Sequence, residues 1–239
     1  MSESLLGGIG LTYLTVYHDP AGPDGVHGGC AHIHAITPEA YFGVSGEGAI
    51  ELHDLEHGFR RQEIRKGTFV QFPPGTLHRS ISTDNLEVVA VMGNGGLAER
   101  GDARIYFGRD VDETPGEYER LRDLVKTGRD GAIARRNASA VAYAALLGLW
   151  ESDRDAYRAE LARFFALHRK TLAAKEPSLR AVVEAGPVKV AEDALHNLSI
   201  LGSDETIRHF ETSATEAFAG SEVLGMCGAL RQVGALREI

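Results

Sequence analysis

The chain changes its hydrophobic period once, and that change sets what it can fold into. Up to about residue 111, apolar and polar residues alternate in short runs broken by glycine and proline. Beyond about residue 112 the apolar residues recur every three or four positions and the glycines thin out. A period of two marks half-buried strands and a period near 3.6 marks amphipathic helices. The expectation is a β + α chain, with a β unit over residues 1–111 and an all-α helical region over residues 112–239.

Within the first part, Leu11 to His18 reads as a strand rich in β-branched and aromatic residues. Residues 19–29, dense in glycine and proline, read as a loop placed to cover the mouth of the β unit, with His27 at its end. Further strands are expected at Tyr41 to Gly46, Ala49 to Asp54, Thr68 to Phe72, Leu86 to Met92 and Arg104 to Phe107. Residues 60–66 suit a solvated edge. In the second part, Thr114-Pro115-Gly116-Glu117 has the form of a capping box. Ala138 to Trp150 reads as a helix. Ser152-Asp153 caps another that carries Tyr157, Leu161, Phe164, Phe165, His168 and Leu172 on one face. More helices are expected from about Val188, from Asp204 and from about Glu222.

One stretch carries chemistry. His32 and His34 are two apart on an apolar strand, so both imidazoles leave the same face. Glu39 stands at an odd offset and joins them if Thr37-Pro38 interrupts the strand. His78 follows Pro73-Pro74-Gly75, a turn that could return the chain to the same place. Three imidazoles and a carboxylate would hold one divalent first-row metal and leave positions open for water or substrate. By alternation Tyr41, Gly43 and Ser45 share the face of Glu39, Ser80 and Ser82 that of His78, and Phe69 shares a face with Gln71. Tyr41, Gln71 and Ser80 are the candidate pocket residues, while Arg79 should point away. His53 and His57 fall at a hairpin tip and read as surface residues. His168, His196 and His209 stand singly and read as structural.

His32-x-His34-x4-Glu39-x6-Gly46 and Gly67-x5-Pro73-x-Gly75-x2-His78 resemble the two motifs of the cupin superfamily. Val26 stands where the first motif has glycine, and Ser82 where the second has asparagine; neither departure removes a ligand. The resemblance covers about residues 8 to 110. It implies a jelly-roll β-barrel with the metal inside, bound by His32, His34, Glu39 and His78, and a homodimer paired through its sheets. It does not select a reaction, because one fold hosts many chemistries.

Charge and cysteine content narrow the partners. The formal net charge of -9 argues against nucleic acid, and no apolar run approaches a membrane span. Two cysteines, Cys30 and Cys227, without a paired framework suit a reduced, cytoplasmic protein. The ligand set accommodates iron, manganese, zinc or nickel. Iron would suit dioxygenase-type chemistry on a small organic substrate; zinc would suit a sugar or sugar-phosphate isomerase or epimerase. None of the candidate inward positions is a cation, which favours an unphosphorylated substrate and the first reading. Glu39, which could also accept a proton, is the candidate catalytic residue. A non-catalytic binding or sensor module is the third reading.

Overall fold

A computed structural model describes residues 6–205 and 222–233. Nine strands run in chain order as β1 (Gly10–Val16), β2 (His32–His34), β3 (Glu39–Asp54), β4 (Gly58–Arg65), β5 (Phe69–Phe72), β6 (Leu77–Met92), β7 (Ala103–Ile105), β8 (Val223–Leu224) and β9 (Gly228–Val233). Among the described residues, six α-helices lie between β7 and β8: α1 (Arg109–Asp112), α2 (Pro115–Asp123), α3 (Arg129–Ser152), α4 (Arg154–Ala173), α5 (Glu176–Val183) and α6 (Lys189–Ser199). The β + α reading therefore holds.

The β unit is built on two long antiparallel strands. Strands β3 and β6 pair from Glu39↔Met92 to His53↔Leu77. One half of this ribbon is flanked by β4 and by β2 with β7; the other half is flanked by β5 and by β1, β9 and β8. The register shifts between Gly43 and Ser45 and again between Glu47 and Gly48. Between them Gly46 has φ 68°, and a side chain there would meet the backbone oxygens of Asp84 and Asn85. Bulges bend and twist the strand that carries them. The two halves fold onto each other, so that Leu14, Tyr41, Ile50, Ile64, Phe72, Leu86 and Val88 bury one shared core.

The bulges also change which residues face that core. Before them Tyr41 points inward; after them Ile50 and Leu52 do, while Glu51 and His53 face outward. That outer face is covered. Ile33 and Leu77 from the outer side of β2 and β6 pack with Tyr143 and Leu146 of α3 and Tyr157, Leu161 and Phe164 of α4. The stripe expected on α4 is buried at Tyr157, Leu161, Phe164, His168 and Leu172. Asp153 caps the helix as expected, accepting from the amides of Asp155 and Ala156.

Three expectations are corrected. His53 is fully buried, with Nδ1 2.8 Å from the Tyr157 hydroxyl and Nε2 2.7 Å from that of Tyr143. Helices far along the chain cover its strand, which local pattern could not reveal; His57 is exposed as read. Helix α2 begins at Pro115, but Thr114 makes no side-chain cap and its hydroxyl donates to Asp110 O instead. From Glu222 the chain forms a β-hairpin rather than a helix, and β9 pairs with β1 from Leu11↔Val233 to Val16↔Gly228. Loop 19–29 is tied down: buried Arg136 of α3 donates to Pro20 O and Gly28 O, and buried Arg79 of β6 to Gly29 O. Arg79 does point away from the core, beneath α3, where it pairs with Asp24 at 2.5 Å. The helix expected from Asp204, and His209 with it, lie outside the described residues. No helix among the described residues is long and apolar enough to cross a membrane.

Candidate metal centre

His32 and His34 leave one face of β2 because Ile33, between them, is drawn into the helix-facing cluster. The Pro73-Pro74-Gly75 turn is held against the same strand by a hydrogen bond from Gly75 N to His34 O, 2.8 Å long. Strand β6 then starts in antiparallel register with β2, and His78 stands opposite His32. Glu39 arrives by the break that its odd offset demanded. Strand β2 ends at His34, β3 starts at Glu39, and the intervening turn is organised by Asp102, whose carboxylate accepts from the amides of Ala35, Ile36 and Thr37 at 2.9–3.1 Å.

The four side chains are 0–6% exposed, and one ligand atom from each lies within 4.8 Å of the others. His32 Nε2 and His78 Nε2 are 3.1 Å apart; Glu39 Oε2 is 3.2 Å from His78 Nε2 and 3.6 Å from His34 Nε2. Two of the imidazoles are oriented for coordination from behind. His32 Nδ1 donates to Cys30 O at 3.1 Å and His78 Nδ1 to Thr76 O at 3.0 Å, which leaves each Nε2 with a bare lone pair in its neutral tautomer. His34 Nδ1 instead faces Asp102 Oδ2 at 3.5 Å. Glu39 Oε2 is buried with no hydrogen-bond partner, and the Nε2 atoms of His34 and His78 converge on it. A divalent transition metal satisfies that arrangement, because it supplies the positive centre that a lone carboxylate and three lone pairs otherwise lack.

Electrostatics distinguish the members of the group. Burial, with the neighbouring His78 and His34, pushes His32 well below the usual histidine range, so it is neutral and free to coordinate. Burial raises the Glu39 carboxyl, but His78 and His34 outweigh it and the net shift is downward. At His34 burial is overcome by the interaction of its Nδ1–H with the Asp102 carboxylate and by the charge of Glu39, and its pKa is raised. Asp102 is in turn gripped from the helical layer: its backbone oxygen accepts from His168 Nε2 at 2.6 Å. Sequence reasoning missed Asp102, since no spacing relates it to His34.

The candidate pocket residues divide. Tyr41 and Ser80 are fully buried, and the Tyr41 hydroxyl lies 3.1 Å from Ser80 Oγ. Gln71 is exposed, and Phe69 with it; Val70 and Phe72 take the inward positions of β5, with the Phe72 ring 4.7 Å from that of His78. Gln71 is therefore no pocket residue. Alternation along β5 was right and its phase was not, because the pairing of Glu39 with Phe72 sets that phase. Ser45, beyond the first register shift, donates to Glu87 rather than lining the interior. Cys227, unassigned by the sequence, reaches the centre: its sulfur lies 3.6 Å from His32 Nε2 and 3.6 Å from the Tyr41 hydroxyl. Nothing local marks a residue so distant in sequence.

No family model matches this chain, and no curated protein matches it. Among solved structures it is similar to Pac13, a nucleoside dehydratase from Streptomyces, at 14% identity over 43% of this chain and 71% of that one, with a TM-score of 0.33. It is also similar to WlaRA, a TDP-fucose-3,4-ketoisomerase from Campylobacter jejuni, at 8% identity over 34% of this chain and 57% of that one, TM-score 0.29. A third likeness is to protein NMB1881 from Neisseria meningitidis, at 18% identity over 36% of this chain and 73% of that one, TM-score 0.28. Likenesses this distant establish no family and no activity for this chain.

Proposed function

We propose that this protein is a mononuclear metalloenzyme that acts on a small, uncharged organic molecule inside its β unit. The observation that carries this reading is the convergence of three histidine Nε2 atoms and one unpartnered carboxylate oxygen in a buried space. His32, His34, Glu39 and His78 would hold the ion. A metal in this donor set would supply Lewis acidity or, if it is iron, a place for dioxygen beside the substrate. Tyr41 and Ser80 would orient a hydroxyl or carbonyl group of the substrate. Burial keeps the Tyr41 hydroxyl protonated, with a pKa well above its ordinary value, so it can donate. No lysine or arginine belongs to this buried group, which supports an unphosphorylated substrate and a dioxygenase-type reaction.

A second reading is isomerisation or epimerisation of an unphosphorylated sugar. It is favoured by an ionised carboxylate and a protonated phenol in the same buried group, since Tyr41 is among the groups that lower the Glu39 pKa while burial raises that of Tyr41 itself. Such a pair can take a proton at one atom and return it at another.

Metal analysis of the purified protein after competitive supply of iron, manganese and zinc tests the proposal. About one equivalent of iron, with substrate-dependent oxygen uptake, supports the first reading, and zinc retained over iron supports the second. A protein that takes up no metal overturns both.

A further inference from the structure

The C-terminal hairpin brings one side chain to the metal centre from outside the segment that builds the rest of it. Cys30 N donates to Met226 O and Tyr17 N to Cys227 O, at 2.9 and 3.1 Å. The Tyr17 hydroxyl and Arg135 Nη2 both donate to Gly225 O, at 3.0 and 2.7 Å. The approach is close because residue 29 is glycine: a Cβ there would lie 2.5 Å from Cys227 Cα. This seating buries Cys227 in the same core as Tyr41 and Phe72.

The sulfur stands beside the ring of His32, 3.6 Å from Nε2 and 3.9 Å from Nδ1. A donor to a metal on Nε2 would lie much nearer that nitrogen than the other, so Cys227 is a neighbour of the metal position and not a ligand in this conformation. Its other contact is the Tyr41 hydroxyl, which bonds Ser80. Four protein ligands leave one or two positions open on a five- or six-coordinate ion, and the ligands themselves are almost wholly shielded from solvent. A group that enters an open position shares the interior with Tyr41, Ser80 and Cys227. The Tyr41 and Ser80 hydroxyls are 3.1 Å apart, whereas the thiol's contacts to Tyr41 and His32 are 3.6 Å or longer.

We infer that Cys227 is a specificity-determining residue of the metal centre: its thiol fills the space beside His32 and limits the size of the group that the bound metal takes up. This rests on the metal-site reading above. It names a role for the hairpin that the ligand set alone does not require, because the four ligands all come from residues 32–78.

The test uses the full chain loaded with cobalt(II), whose visible absorption reports its coordination, titrated with azide as a small exogenous ligand. Cys227→Ala opens the space and should tighten azide binding about five-fold; Cys227→Met fills it and should weaken binding by a similar factor; Cys227→Ser, nearest in size, should stay within about two-fold of wild type. Far-UV circular dichroism and the melting temperature establish that each variant is folded; if Cys227→Ala is not, the contrast between Ser and Met still decides. Equal azide affinity in the folded variants overturns the inference while leaving the metal site standing. Failure of the wild-type protein to take up cobalt overturns the metal site and this inference with it.

Discussion

Asp102 holds His34 to the strand break that delivers Glu39. Its carboxylate binds the amides of Ala35, Ile36 and Thr37 and presents Oδ2 to His34 Nδ1 at 3.5 Å. One side chain thus shapes the turn and orients a candidate ligand. Outer carboxylates of this kind tune affinity without touching the metal. Asp102→Asn should weaken metal binding by about 10–100-fold, measured by competition with a chromophoric chelator. Unchanged affinity would show that the turn, and not the carboxylate, positions His34.

His78→Ala removes one of two imidazoles whose Nε2 atoms lie 3.1 Å apart. The variant should fold and lose most of its metal, measured by elemental analysis after equal loading. His57→Ala, an exposed change, serves as the control and should keep the wild-type stoichiometry. Equal metal in all three proteins would place the ion elsewhere.

Two histidines outside the centre make stability depend on pH. Burial lowers His53 to about 3, only partly opposed by Asp54, and lowers His168 to about 4. Each is depressed below its unfolded value near 6.5, so the unfolded chain binds the proton first. The stabilisation is therefore complete above about pH 6.5 and is lost as pH falls towards the folded values, at roughly 2 kcal/mol per histidine between about pH 6.5 and 5. Urea midpoints of the metal-free protein across this range should fall, and His53→Gln should flatten the slope. A parallel curve for the variant would assign the pH dependence to other groups.

Gly46→Ala should be severely destabilising. The position has φ 68°, and a Cβ would stand 2.2 Å from Asp84 O. The cost should be roughly 3 kcal/mol or more, read from urea unfolding. The bulge that Gly46 occupies sets the phase of β3, so metal affinity should fall in the folded fraction as well. A melting temperature equal to wild type would contradict the strand geometry.

The sequence by itself determined most of the elements and the four candidate ligands. The change of period near residue 112 separates strands from helices, because a buried face repeats every two residues on one and every three or four on the other. His32-x-His34, the break at Thr37-Pro38 and the turn before His78 are local facts about which way side chains can point, and they led to the same four residues that meet in space. Other features depended on partners far along the chain. His53 is buried because α3 and α4 lie over its strand. Gln71 faces outward because β5 takes its phase from Glu39 opposite Phe72. Gly228–Val233 forms a strand because β1 offers it an edge, Val223–Leu224 pairs back onto it, and Cys227 in the turn between them reaches His32 through that pairing. Periodicity records which faces of an element are apolar; what covers each face is decided only when distant elements pack.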